Sequence, residues 1–240
     1  MTFILLIFWQ TELLEPQKVY DFAEYLHAYG DYAAALQEYN RYKFLGNSIE
    51  IDIEPKILDC LIRLKRFDDA MHNAREYKNA SYWQGIILYH AAKYDSARYY
   101  LLRSDPDNKA RANYFIGLSH AAQFDFNNMQ NYIEFNKPLP SLKKPWLGGL
   151  LSIIPGAGHI YANRWGDSIF SFLTVALFGT VSYYYSQTDE DLKLGIALSA
   201  TAIFYAGNIY GGINAARNYN YYKNSQYLDE IHTVYNEYGY

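Results

Sequence analysis

The residues with the widest chemical reach in this 240-residue chain are six histidines and one cysteine. The histidines are His27, His72, His90, His120, His159 and His232, and no two of them are four residues apart, the spacing with which one helix face offers two imidazoles to a metal. His90 and His120 open two similar stretches, HAAKYD (90–95) and HAAQFD (120–125), so duplication accounts for their recurrence. Cys60 sits in ILDCLIRL (57–64) and reads as a small buried hydrophobe. The glycines of GAG (156–158) have no preceding strand and no following Lys-Ser/Thr, so they are not a phosphate loop. That leaves His159, Arg164 and Asp167, polar groups inside the otherwise apolar LSIIPGAGHIYANRWGDS (151–168). Titratable residues at a bilayer are functional candidates by default, although all three sit where interfacial anchors would. No catalytic set, metal site or cofactor site is expected, and a non-enzymatic role follows.

The elements that hold these residues are apolar. Residues 168–186 and 194–213 carry no charge, and each is long enough to cross about 30 Å of hydrocarbon. QTDEDLK (187–193) joins them as a short polar loop, giving a transmembrane hairpin rather than two core helices. Tyr183, Tyr184 and Tyr185 would form an aromatic belt. Gly195, Ser199, Ala202, Gly207 and Gly211 form a small-residue stripe suited to close helix packing. Ahead of the hairpin, residues 146–154 form an apolar half-helix that Pro155, Gly156 and Gly158 interrupt. In lipid such a break frees backbone groups that must find partners inside the protein, so the spans should cover it. Asp167 is placed to cap the first span and oppose its dipole.

The first half of the chain repeats. GDYAAAL (30–36), KRFDDAM (65–71), AKYDSAR (92–98) and AQFDFNN (122–128) each place an aromatic third, and Tyr32, Phe67, Tyr94 and Phe124 lie 35, 27 and 30 residues apart. Val19, Phe22, Ala23 and Leu26 fall on one helical face ahead of the first aromatic, and Ala35, Leu36 and Tyr39 continue the pattern after it. Each unit is a helix pair that cannot bury its apolar face alone, so the copies stack. With Ala23, Gly30, Tyr32, Ala35 and Tyr39 at its small, turn, aromatic, small and aromatic positions, residues 16–136 resemble the tetratricopeptide repeat family. Lys65 and Ala92 replace the turn glycine, Asn127 replaces a small residue, and the spacings run short. The resemblance implies a scaffold that binds a protein or peptide in a groove.

The pattern Ser152, Pro155, Gly156, Gly158, Tyr161, Arg164, Asp167 resembles small bacterial membrane domains that carry a P-G-x-G-x-x-Y turn ahead of paired hydrophobic helices. Here His159 stands where a polar residue, often glutamine, is expected. The resemblance implies architecture more than mechanism. The expected fold is all-α: a helix-pair repeat solenoid, then a broken helix and a transmembrane hairpin. Its divisions are 1–14, a signal peptide or an apolar first turn (TFILLIFW, 2–9); 15–138, repeats; 139–145, a Pro-bounded linker; 146–215, the membrane domain; and 216–240, a polar Tyr-rich tail. A net charge of −4 gives no reason to expect nucleic acid.

Function is expected to be that of an adaptor at a bacterial cytoplasmic membrane, in envelope assembly or membrane-protein biogenesis. The alternative is a small transporter or membrane enzyme with its site at PGAGH. If 145–163 dips into the membrane the repeats are cytoplasmic. If it crosses they are periplasmic, which is slightly preferred.

Overall fold

The computed structural model describes residues 15–45 and 51–237, and among them every regular element is helical. TFILLIFW lies outside the described residues. The chain forms two compact units, divided after Phe135.

In the first unit, helices α1 (Pro16–Tyr29), α2 (Tyr32–Leu45), α3 (Glu54–Arg63), α4 (Phe67–Glu76), α5 (Ala80–His90), α6 (Tyr94–Leu101), α7 (Lys109–Ala122) and α8 (Phe126–Met129) make four pairs. Each helix packs chiefly on its neighbours in the chain, as in a stacked-repeat architecture. Alanines let the helices approach: Ala23, Ala35, Ala70, Ala74, Ala97, Ala112 and Ala121 are fully buried. Tyr39, Ile57, Leu58, Ile87, Leu101, Ile116 and Met129 fill the space between.

One turn recurs inside all four pairs. Gly30, Lys65, Ala92 and Phe124 each have a left-handed backbone, with φ of 88°, 58°, 57° and 60°. Each donates its N–H three residues back, and the following residue donates to the carbonyl five residues back, closing the preceding helix. Lys65 and Ala92 thus do hold the turn position that glycine fills in the first copy. The fourth copy is out of the register read from sequence. Phe124 is the turn residue itself, and Phe126 is the counterpart of Tyr32, Phe67 and Tyr94. GDY (30–32) corresponds to FDF (124–126): Asp31 accepts from the Ala34 N–H at 3.0 Å, and Asp125 from the Asn128 N–H at 3.4 Å. The buried small position, Ala35, Ala70 and Ala97 in the other copies, is then held by Met129, not Asn127.

In the second unit, α9 (Pro145–Leu151), α10 (Ala157–Tyr161), α11 (Trp165–Ser186) and α12 (Asp191–Glu237) follow. Helix α12 runs 47 residues without a break, roughly 70 Å at 1.5 Å per residue. It takes in the second apolar span and most of the stretch read as a tail. Helices α11 and α12 pack along each other, and α9 and α10 fold back against α12.

Only 17% of the apolar window of α11 and 11% of that of α12 is buried. Ile169, Phe170, Leu173 and Leu177 on α11, and Ile196, Leu198 and Ile203 on α12, are all more than half exposed. A pair of soluble core helices would hide these side chains. Two exposed apolar helices of this length are consistent with insertion in a membrane.

Candidate functional site

The motif from Ser152 to Asp167 folds into a tight hairpin against α12. Gly156 takes a left-handed backbone, φ 86°, and a Cβ there would stand 2.5 Å from the Ser168 carbonyl oxygen. Pro155 precedes it in the turn. Where α9, α10 and α12 cross, glycines replace side chains. A Cβ on Gly148 would lie 2.5 Å from the Gly212 carbonyl oxygen, and one on Gly158 would lie 3.1 Å from Gly212 Cα and collide with Ser152 and the Gly148 carbonyl.

The partner that the broken backbone needs is Asn208, inside the apolar part of α12 and only 4% exposed. Its Nδ2 donates to the Ser152 carbonyl at 2.6 Å. Its Oδ1 accepts from the Gly156 N–H at 2.9 Å and from Ser171 Oγ on α11 at 2.8 Å. The Tyr205 hydroxyl, one turn earlier, donates to the Ile153 carbonyl at 2.9 Å. Ser152 Oγ donates back to the Gly148 carbonyl. The expectation that the spans would cover the break is met by one amide that counting charges passes over. A lone Asn within an uncharged span was the available signal.

The two ends of the segment meet. Lys144 N–H donates to the Tyr161 hydroxyl at 2.9 Å, and the Lys143 ammonium reaches the Tyr161 carbonyl and, at 3.1 Å, Asn163 Oδ1. Residues 145–161 therefore double back on themselves, instead of running on as a single interrupted rod. Arg164 pairs with Asp167 at 2.5 Å. Asp167 lies in the first turn of α11, where it opposes the dipole, but Arg164 occupies the cap position and no side chain caps that end.

His159 is 9% exposed, its ring lies against Gly211, and its Nδ1 has no hydrogen-bond partner. Of the small-residue stripe read from sequence, only Gly211 lies in the packing face, against the His159 ring. Gly195 and Gly207 face open space, and Ser199 and Ala202 are exposed. The face that packs runs through Ala197, Thr201, Asn208, Gly212, Ala215 and Ala216, with Thr201 Oγ1 bonded to Ser182 at 2.9 Å.

The linker is also held. The Asn220 side chain accepts from the Lys143 N–H and donates to the Lys143 carbonyl, both at 2.7 Å. The Tyr227 hydroxyl donates to the Lys137 carbonyl at 3.1 Å, and Lys137 pairs with Glu230 at 3.1 Å. Residues 137–143 thus form a strap along the polar half of α12.

In the repeats a polar network joins the first two pairs. Glu24 accepts from Tyr39 at 2.6 Å and Lys56 at 2.9 Å. Asp59 meets His27 at 2.6 Å and Arg63 at 2.9 Å, and Arg63 reaches the Tyr32 hydroxyl. Burial would raise the Glu24 carboxyl, but the bonds from Lys56 and Tyr39 outweigh it and hold it below the usual value. Burial pushes the Cys60 thiol up to about 12, which leaves it a protonated, unreactive core group at neutral pH. His90 packs edge-on against Tyr89, and His120 bonds Asp125 at 3.0 Å while stacking on Tyr132. Among the described residues no three His, Cys, Asp or Glu side chains converge as a metal site. On the outer face of α1, Phe22, Tyr25 and Tyr29 stack ring on ring, at 6.4 and 6.3 Å, and all three are exposed.

Comparison with known proteins finds no matching protein family, no curated protein and no solved structure similar to the chain.

Proposed function

We propose that the chain is a membrane-anchored scaffold. On this reading its tetratricopeptide-like repeats bind a protein or peptide partner, and its helical hairpin holds them at a bacterial cytoplasmic membrane, in envelope assembly or membrane-protein biogenesis. The observation that carries the reading is the joining of two unlike surfaces in one chain. A stack of helix pairs presents an exposed aromatic ladder, Phe22, Tyr25 and Tyr29, and two long helices present aliphatic side chains outward. Rigid aromatic side chains suit protein contacts, because they offer a large contact area at little conformational cost. Anchoring confines the scaffold to the membrane surface and raises the local concentration of any partner held there.

The doubling back of residues 145–161 bears on topology. The chain enters the hairpin and α12 leaves it on the same face, which carries Lys143, Lys144, Arg164, Arg217 and Lys223. Asp189, Glu190 and Asp191 mark the other end. On this reading positive-inside counting favours a cytoplasmic side for the repeats and the end of α12, the other alternative to the periplasmic side preferred from the sequence. Reporter fusions at residues 140 and 225 should both give cytoplasmic signals. A periplasmic signal at 140 would refute this arrangement.

A photo-crosslinking side chain at Tyr25 or Tyr29 tests the scaffold. Adducts to a discrete protein should disappear on substitution of the neighbouring ladder rings and persist when the hairpin is exchanged for an unrelated two-span anchor of the same topology. Loss on exchange, with indifference to the ladder, would overturn the scaffold. It would favour the second reading, a transporter or membrane enzyme working at the PGAGH turn. That reading has one observation of its own, the buried and unpartnered Nδ1 of His159.

A further inference from the structure

The cations around the strap are not all neutralised. Arg164 has Asp167, and Lys137 has Glu230. Among the described residues Lys143, Lys144, Arg217 and Lys223 have no carboxylate partner. Lys143 is held by neutral oxygens and lies over the Tyr219 ring, 4.4 Å from its centroid. Lys223 has one long bond, 3.4 Å, to the amide of Gln226. Lys144 and Arg217 are exposed.

The fold brings the backbones of these four residues close to Asn220. Asn220 fixes the strap at Lys143, with Lys144 next to it. Arg217 and Lys223 lie three residues to either side of Asn220, within one turn of α12. Beside them a cavity of about 430 Å³ opens between strap and helix, walled by Pro138, Pro140, Tyr219 and Tyr227, with Lys223 and the Lys137–Glu230 ion pair on its lining. On the membrane reading this level is that of the bilayer surface. Trp146 and Trp165, 63% and 64% exposed, mark the interface, and Asn220 is seven residues, roughly 10 Å, beyond the last residue of the uncharged span.

We propose that this collar binds the phosphate headgroup of an anionic phospholipid. Lys144, Arg217 and Lys223 would supply the charge, and the strap cavity would receive the headgroup. The inference rests on the membrane reading given above. Phosphodiester chemistry matches four cations without counter-charge, and the adjoining apolar helices would hold the acyl chains that a soluble phosphate lacks.

The test uses the full chain reconstituted in vesicles of equal parts dioleoyl phosphatidylglycerol and dioleoyl phosphatidylcholine, extracted in mild detergent, with the retained phospholipid quantified. Phosphatidylglycerol should be enriched by about tenfold over phosphatidylcholine. The variant K144Q/R217Q/K223Q should return to the bulk ratio, and the charge-preserving K144R/K223R should keep the enrichment. Excess inorganic phosphate should displace none of it. Parity in the wild type, enrichment surviving in the triple variant, or loss in the charge-preserving one would overturn the proposal, and full displacement by phosphate would reassign the site to a soluble ligand. Insertion with lipid parity sinks this inference alone. A chain recovered soluble without detergent sinks the membrane reading with it.

Discussion

Asn208 shows how much one side chain carries in an apolar setting. Its removal leaves the Gly156 N–H and the Ser152 carbonyl without partners where water cannot replace them. Asn208→Ala should lower stability in detergent by about 3 kcal/mol, measured as a denaturant midpoint. Thr201→Ala should cost only about 0.6 kcal/mol, because Ser182 keeps its bond to the Phe178 carbonyl. The turns of the repeats give the opposite sign. Ala92 sits in a left-handed backbone that disfavours any Cβ, so Ala92→Gly should raise stability by about 1 kcal/mol. Glu24 sets a pH dependence. Its folded carboxyl lies below the usual value of 4.5, so its contribution is complete above that pH and is lost as pH falls through the depressed folded value. Glu24→Gln should flatten the acid limb of a stability-against-pH curve in that window; an unchanged limb would assign the acid sensitivity elsewhere.

At the scale of elements, legibility followed periodicity. Ala23, Ala35, Leu36 and Tyr39 marked the first helix pair because buried positions recur with the helical repeat, and the uncharged spans declared themselves by length. The register of the fourth pair did not. The matching letters of HAAKYD and HAAQFD conceal a turn that falls two residues later, and what fixes it is backbone handedness at Phe124, which composition does not encode. The small-residue stripe misled for a related reason. Glycines in an apolar helix mark either close approach or nothing, and only the partner decides. The contrast can be measured. Gly158→Ala should cost about 2 kcal/mol, chiefly by forcing α10 off α9 at the Gly148 carbonyl and Ser152. Gly195→Ala and Gly207→Ala, which meet open space, should be neutral or stabilising by up to about 1 kcal/mol.

Over the whole molecule the sequence set out two regions of different solvent preference with a joint at 139–145, and the structure has two compact units divided after Phe135. What it hid were pairings between residues far apart in the chain: Lys143 with Asn220, 77 residues on, and Gly156 with Asn208, 52 residues on. Neither endpoint has a periodicity that points to the other. The second pairing also imposes an order in time. A ribosome adding 5–20 residues per second takes roughly 3–10 s to make the 52 residues that separate Gly156 from Asn208. Through that interval the turn has been synthesised but lacks the amide that satisfies it. It gains that partner only when α12 arrives, so the turn at Gly156 settles late, although it is made before either long helix.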